Sequence, residues 1–353
     1  MFSSFQNKLS ENNKSYKIAL WLFTIVGLLF VMIILGGVTR LTGSGLSIVE
    51  WEPLTGIIPP LSEVQWLIEF EKYRSFPEYR SVNFAISISD FKEIYWFEWA
   101  HRLLGRIIGI VFFIPLIWFV IRRQVSSYLA LHLIGIFILG GLQGLLGWYM
   151  VQSGLVDEPD VSPYRLAAHL GLALVILVYV FWVAFGLLKV RSRGARREGS
   201  FGFLRVATPI YTILVFITIL TGAFVAGNDA GHVHNTFPLM DGKIVPPNIF
   251  VIEPTWRNFF ENPVLVQLDH RLAAVLTVLI GILLSILGQG RGLPLSARRI
   301  FLVLGLLVLT QFLIGVFTLL LSVPIPLAAL HQALAILILC SSVWSCHELY
   351  RRQ

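Results

Sequence analysis

Residues 17–37 read KIALWLFTIVGLLFVMIILGG, with a single charge at the first position. A helix rises 1.5 Å per residue, and about 20 mostly apolar residues cross the ~30 Å hydrocarbon layer of a bilayer. This stretch is therefore a membrane span. Seven more runs of the same kind follow, at roughly 103–121, 128–150, 167–188, 206–226, 270–288, 300–321 and 326–346, the last reached through the Pro-rich SVPIPLAAL. The short alternating segments of a membrane β-barrel are not seen. Over 353 residues, 56% are hydrophobic and 13% charged, with a mean hydropathy of +0.77. That composition excludes a soluble domain of this size. The sequence predicts an all-α membrane protein with eight transmembrane helices. Residues 1–16 are polar and the first run exceeds a signal-peptide core of ~7–15 residues, so the first helix is expected to be retained.

Charge sorts the connections. The N-terminus, the turns after the even-numbered spans and the tail hold 16 Lys/Arg against three acids, Glu11, Glu198 and Glu348. The opposite connections hold 8 Lys/Arg and 17 acids. The positive-inside rule then places both termini in the cytoplasm. The net charge of +7 is a topology signal, spread over short turns, and no nucleic-acid partner is expected. The two long connections, 38–100 and 227–269, face outward, where function is to be sought. Cys340 and Cys346 both lie near the end of the last span and read as small packing residues.

The chain repeats itself. PLTGIIPP (53–60) matches PLMDGKIVPP (238–247), and His-Arg-Leu occurs at 101–103 and 270–272. QGLLG (143–147) matches QFLIG (311–315), and LAAHLG (166–171) matches LAALHQA (327–333). The order is conserved between the copies, so a four-helix unit is duplicated. Four is even, so both copies enter the membrane in the same sense, and a pseudo-twofold along the membrane normal is expected. The organisation is a cytoplasmic segment 1–16, an N-terminal four-helix half 17–188, a basic cytoplasmic linker 189–205, a C-terminal half 206–346 and a cytoplasmic tail 347–353.

Four of the eight histidines, His101, His169, His270 and His331, open the even-numbered spans at their outer ends. One such histidine reads plainly as an interfacial residue. Four at equivalent places in two copies point to a site. Two imidazoles facing each other across a bundle bind iron from both faces of a haem. Zinc would want further ligands, and no cysteine is at hand. All four lie on one side, which disfavours an electron relay across the bilayer. His132 and His347 lie at the other side and read as structural; His232 and His234 read as loop. Arg102 and Arg271 follow two of the histidines and suit haem propionates, or else snorkel to the water interface. Glu98, at i−3 from His101, has Gln267 as its counterpart. A carboxylate at a haem face can move protons; the alternative is an exposed loop acid. The asymmetry suggests that one half reacts and the other holds a fixed cofactor. Gly36, Gly37, Gly43 and Gly45 read chiefly as packing and turning positions, Asn228, Asp229 and Asn235 as caps or substrate contacts. Tyr95, Trp96, Phe97 and Trp99 suit an interfacial belt or a cleft wall.

With these residues in view, the chain resembles the haem A synthase family, in its proteobacterial and mitochondrial branch. The resemblance runs from about 17 to 346 through GGVTRLTGSGLSIVEWEPLTGIIPP (36–60), YRSFPEY (73–79), EWAHRLLGR (98–106), LQGLLGWYMVQSGL (142–155), AAHLGLAL (167–174), AGNDAG (226–231), NTFPLM (235–240), LDHRLAA (268–274) and LHQA (330–333). It implies oxidation of the C8 methyl of haem O to a formyl by successive hydroxylations, the gem-diol losing water, to supply haem A for cytochrome oxidase. It implies haem b on His270 and His331, and haem O near His101 and His169 with Glu98 beside the reaction centre. It also implies molecular oxygen, an external electron donor, and a setting with haem O synthase (the farnesyltransferase), cytochrome oxidase assembly factors and membrane lipid; a homo-oligomer is compatible. Another branch carries a cysteine pair in its first outer loop; this chain has none there, which removes any thiol-based step. A bacterial inner membrane, with the sites near its periplasmic face, fits better than a mitochondrial one, since no Arg- and Ser-rich leader precedes the first span. The competing reading is a di-haem b electron carrier or quinol oxidoreductase. A transporter fits poorly, because transporter sites lie near the midplane.

Overall fold

The computed structural model describes residues 2–50, 55–154, 160–188 and 200–350. Much of the expected basic linker, most of the tail's basic end (351–353) and parts of both the 38–100 connection (51–54) and the connection between the third and fourth spans (155–159) lie outside the described residues. The described chain forms eleven α-helices: α1 Phe2–Leu41, α2 Glu63–Arg74, α3 Pro77–Ser81, α4 Ile88–Ile121, α5 Ser127–Gln152, α6 Pro163–Leu187, α7 Ser200–Gly227, α8 Asn258–Glu261, α9 Pro263–Leu287, α10 Leu295–Leu320 and α11 Ile325–Tyr350. Eight of them are long and apolar enough to cross a membrane: α1 from Asn13 onward, α4, α5, α6, α7 from Gly202, α9, α10 and α11. These are the eight expected spans.

The helices close into two groups. α1 packs on α4 and α6, and α5 packs on the same two; α7 packs on α9 and α11, and α10 packs on those two. The groups meet where α1 touches α11 and α6 touches α7 and α11. Ile18, Leu22, Ile25, Leu133, Ile176 and Val180 fill the first group. A larger core, with Ile33, Leu177, Tyr211, Phe301, Leu304 and Leu339, runs through the second group and across the seam. Large apolar side chains such as Ile114, Leu131, Leu279 and Ile286 are exposed on the outside. That inversion suits lipid, where tight contact rather than water exclusion drives helix association and small residues let helices approach. Gly37 shows this at the seam. A Cβ there would fall 1.7 Å from Gln332 Oε1, while Gln332 Nε2 donates to the Ile33 carbonyl at 2.9 Å.

The long connection after α1 is a small folded unit, which the sequence reading did not foresee. Ser62 and Gln65 form a capping box at the start of α2, and Ser87 and Asp90 form another at the start of α4. α4 therefore begins fifteen residues before the apolar run at 103. Its extra turns are stabilised by burying Phe91 and Tyr95 with Trp66 and Tyr73. The Trp66 and Tyr95 rings lie 5.0 Å apart and those of Tyr73 and Phe91 5.2 Å. Each such ring contributes about 1.5–3 kcal/mol on burial. Tyr95 is thus core to this unit, whereas Trp96 and Phe97 remain exposed.

Glu78 on α3 is buried in the same unit, 7% exposed, and its Oε2 has no partner among the described residues. Burial is the largest influence on its carboxyl, which is pushed from 4.5 up to about 7. The folded unit then binds this proton more tightly than the unfolded chain. Its contribution to stability is full below about pH 4.5 and is lost as pH rises through about 7. Proteolysis between residues 55 and 87 is expected to speed up over that window, and Glu78→Gln is expected to flatten the dependence. An unchanged pH profile in the variant would assign the effect elsewhere.

Candidate active site

His101, His169, His270 and His331 all sit towards the end of the bundle that carries the two long connections, and all four are half-buried. His169, His270 and His331 lie six or seven residues into α6, α9 and α11, near the helix starts as expected. His101 does not open its helix; it lies thirteen residues into α4, because of the outward extension described above.

Each imidazole rests on a glycine of a neighbouring helix. A Cβ on Gly36 of α1 would lie 3.0 Å from His101 Nε2, and one on Gly147 of α5 would lie 2.8 Å from His169 Cε1. In the second group a Cβ on Gly222 of α7 would lie 3.1 Å from His270 Cε1, and one on Gly315 of α10 would lie 2.6 Å from His331 Cε1. Four histidines in four glycine seats is one arrangement made twice. Gly36 was read as a packing position, and the ring that it packs is the candidate ligand.

A glutamine stands one turn before two of these glycines. Gln143 Nε2 donates to the His169 carbonyl at 3.0 Å and lies 3.2 Å from His169 Nδ1. Gln311 Nε2 lies 3.4 Å from His331 Nε2. The Oε1 atoms of both glutamines, and His331 Nδ1, are buried with no partner among the described residues. Gln143, Gln311, Gly147, Gly222 and Gly315 were not singled out from the sequence. The signal was there, since glutamine and glycine at i, i+4 are what QGLLG and QFLIG share at their ends.

The His270 and His331 ring centroids are 6.4 Å apart, with planes at 80°. Two imidazoles on opposite faces of one iron have centroids roughly 6–6.5 Å apart, given metal–nitrogen bonds of about 2.0–2.1 Å. The separation and the unpartnered polar atoms of Gln311 and His331 fit a haem held between these two rings.

Glu98 and the two arginines are engaged by the outer connections. Glu98 is buried, 3% exposed. Its Oε2 accepts from Ser47 Oγ at 2.8 Å and from the Ile48 N–H at 2.7 Å. Its Oε1 accepts from Arg102 Nε at 3.0 Å and Nη2 at 2.6 Å. Arg102 also donates to the carbonyls of Ile48 at 2.6 Å and Glu50 at 2.8 Å. The second group repeats the pattern. Arg271 donates to the carbonyls of His234 at 2.7 Å and Thr236 at 3.0 Å, with Gln267 Oε1 at 3.4 Å in the place of Glu98. Each arginine thus ties an outer segment to the helix that carries its histidine. Glu98 is an internal anchor with both oxygens occupied, not an exposed loop acid.

Three of the remaining four histidines have local side-chain partners. His132 Nδ1 lies 2.6 Å from Tyr179 Oη, and His347 packs against Trp182 and Phe185. His234 Nδ1 lies 2.6 Å from Asp241 Oδ2, an arrangement that holds the Asp241 carboxyl below its ordinary range. Asn228 donates to the carbonyls of Phe224 and Phe260, and Asn235 to those of Gly231 and Leu319; both tie the second outer connection to the helices. Asp229 pairs with Arg40 at 3.4 Å across the seam.

Fold and side chains together define a polytopic helical membrane protein with four glycine-seated histidines, two in each four-helix group. Residues 19–343 match the COX15-CtaA family, described as cytochrome oxidase assembly protein, and the chain belongs to that family. It is 51% identical over 338 residues to a "Heme A synthase" of Nitrosospira multiformis, covering 95% of this chain and 94% of that one. Proteins of the same description from Nitrosomonas eutropha and Parvibaculum lavamentivorans are 47% identical over 347 residues and 45% over 334 residues. Those matches cover 98% and 95% of this chain and 97% and 94% of theirs.

Proposed function

We propose that the protein carries out the haem A synthase reaction, oxidising the C8 methyl of haem O to a formyl. The observation that carries this reading is the pair of equivalent histidine seats in a chain that matches haem A synthases over nearly its whole length. His270 and His331 hold haem b in the second group, and haem O is received between His101 and His169 in the first. Haem b, when bound, supplies one-electron transfer. Oxygen and an external donor complete the reaction, in which two hydroxylations of the methyl are followed by loss of water.

The chain's own residues position and enclose. His101 and His169 orient the macrocycle, each braced by its glycine. Glu98 and Arg102 fix segment 48–50 beside His101, so that the reacting edge lies under an ordered strap rather than open water. Arg271 does the same for the resident haem, and its Nε, buried without a partner among the described residues, is the donor left for a propionate. The two groups are related by a pseudo-twofold along the membrane normal. The basic excess in the opposite connections puts both termini in the cytoplasm and both sites towards the periplasmic side of a bacterial inner membrane.

Glu98→Gln replaces an acceptor oxygen by an NH2 that faces only donors. Product formation is expected to fall about 10–100-fold while haem B content stays at the wild-type level, a loss typical of a support to a bound metal group. Full activity in that variant would remove Glu98 from the site.

The function itself is tested by extracting haems from protein purified with a haem O supply and identifying them by mass. Haem B together with haem O and its hydroxylated or formyl products is the expected result. Haem B alone, in two equivalents and unchanged by oxygen, would establish the di-haem electron carrier instead.

A further inference from the structure

The two histidine seats differ in one respect that bears on how firmly each half holds its haem. Thr221 Oγ1 lies 2.9 Å from His270 Nδ1. The same hydroxyl donates to the Thr218 carbonyl at 2.8 Å. A hydroxyl has one hydrogen to give and two lone pairs to receive. With its hydrogen spent on Thr218, Thr221 faces His270 as an acceptor. Nδ1 then carries the ring hydrogen, which both Thr221 Oγ1 and the Thr218 carbonyl face, and Nε2 presents the lone pair that binds a metal. Thr218 is itself held by Thr277 at 2.8 Å, so the three hydroxyl side chains form one braced group behind the ligand.

Among the described residues, the first half has no such group. Setting Gly36 on Gly222 puts Leu35 at the place of Thr221 and Met32 at that of Thr218; setting His101 on His270 puts Ile108 at that of Thr277. The register is supported by the arginine straps, since it also sets Ile48 on His234, the carbonyls that Arg102 and Arg271 grip at 2.6 and 2.7 Å. Ring orientation differs too. His101 turns Nε2 towards Gly36, whereas His270 turns Cε1 towards Gly222.

We infer that Thr221 is a positioning residue that fixes the His270 tautomer and so retains a resident haem in the second half, and that Leu35 at the equivalent place leaves His101 free to take and release its macrocycle. This rests on the assignment of resident and substrate haems made above. An enzyme whose substrate and cofactor are both haems must keep one and exchange the other. Two seats of similar shape can differ in this through what stands behind the ligands.

The test uses the full-length protein in detergent with Thr221→Val, Thr221→Ser and Leu35→Thr. Haem B is followed by its transfer to an apo-globin scavenger and by its low-spin electron paramagnetic resonance signature and midpoint potential. Thr221→Val is expected to release haem B about 10–100-fold faster, the usual cost of losing the hydrogen-bond partner of a ligating histidine. Its potential should move upward, as the ligand becomes a weaker electron donor, and Thr221→Ser should restore both. Leu35→Thr, which leaves the second half untouched, is expected to slow release of haem O to the same scavenger. Wild-type release and an unshifted signature in Thr221→Val would overturn the inference, as would unchanged haem O release in Leu35→Thr. Failure of the underlying assignment looks different: wild-type protein would then lack haem B, or keep it in His270→Ala.

Discussion

His331→Ala is expected to leave a folded eight-helix protein that has lost nearly all of its haem B. The fold should survive because His331 contributes little to it: Nδ1 is buried with no side-chain partner among the described residues, and Gln311 Nε2 stands at a marginal 3.4 Å from Nε2. Removing an unsatisfied buried group costs far less than breaking a good hydrogen bond. Haem binding should fail because half of the iron's protein ligation goes with the ring, and alanine offers neither a ligand nor the volume to close the gap over Gly315. Occupancy below about a tenth of wild type is expected, from a loss of at least the 10–100-fold seen when a mere support to a ligand is removed. Any haem that remains should show the spectrum of a five-coordinate iron. The measurement is haem B per polypeptide by extraction, with monodispersity in detergent as the check on folding. A His331→Ala protein with a full, low-spin haem B would place the cofactor elsewhere.

The eight spans and the four histidines were legible because both are written in local sequence. A membrane span needs only length and hydropathy, and a duplicated His-Arg-Leu stands out from an apolar background. For the arginines the sequence offers propionates or the water interface, because charge is what a sequence shows. That they clamp the carbonyls of Ile48, Glu50, His234 and Thr236 depends on backbone groups, which every residue carries and no letter reveals. The aromatic unit over the first half was partly legible, since S-E-V-Q at 62–65 and S-I-S-D at 87–90 are capping boxes. The surrounding hydropathy gave no reason to extend a membrane helix outward. The glycine seats were the hardest to see. A glycine in a membrane helix most often serves helix contact, and only the third dimension distinguishes one that faces a neighbouring helix from one that faces an imidazole.

That distinction yields the sharpest test of the substrate site. Gly147→Val is expected to abolish conversion of haem O, by at least about 100-fold, while haem B stays at the wild-type level. A Cβ on Gly147 would lie 2.8 Å from His169 Cε1, 3.5 Å from Nδ1 and 3.6 Å from Nε2. The ring must give way, and valine adds two methyls that drive it further. Forcing extra volume into a packed site typically costs about 1–3 kcal/mol, which a protein of this size tolerates. A ligand displaced by ~1 Å is another matter, because positioned groups lose about 100-fold or more in rate over that distance. The same helix supplies the control. A Cβ on Gly144, less than a turn away, would meet nothing within 4 Å, so Gly144→Val has the same change in composition and helix propensity without touching His169. It should convert haem O at close to the wild-type rate. If both variants are inactive, the loss comes from α5 as a helix; if both are active, His169 does not hold the substrate. Only an inactive Gly147→Val beside an active Gly144→Val, with haem B intact in each, places the reacting haem against His169.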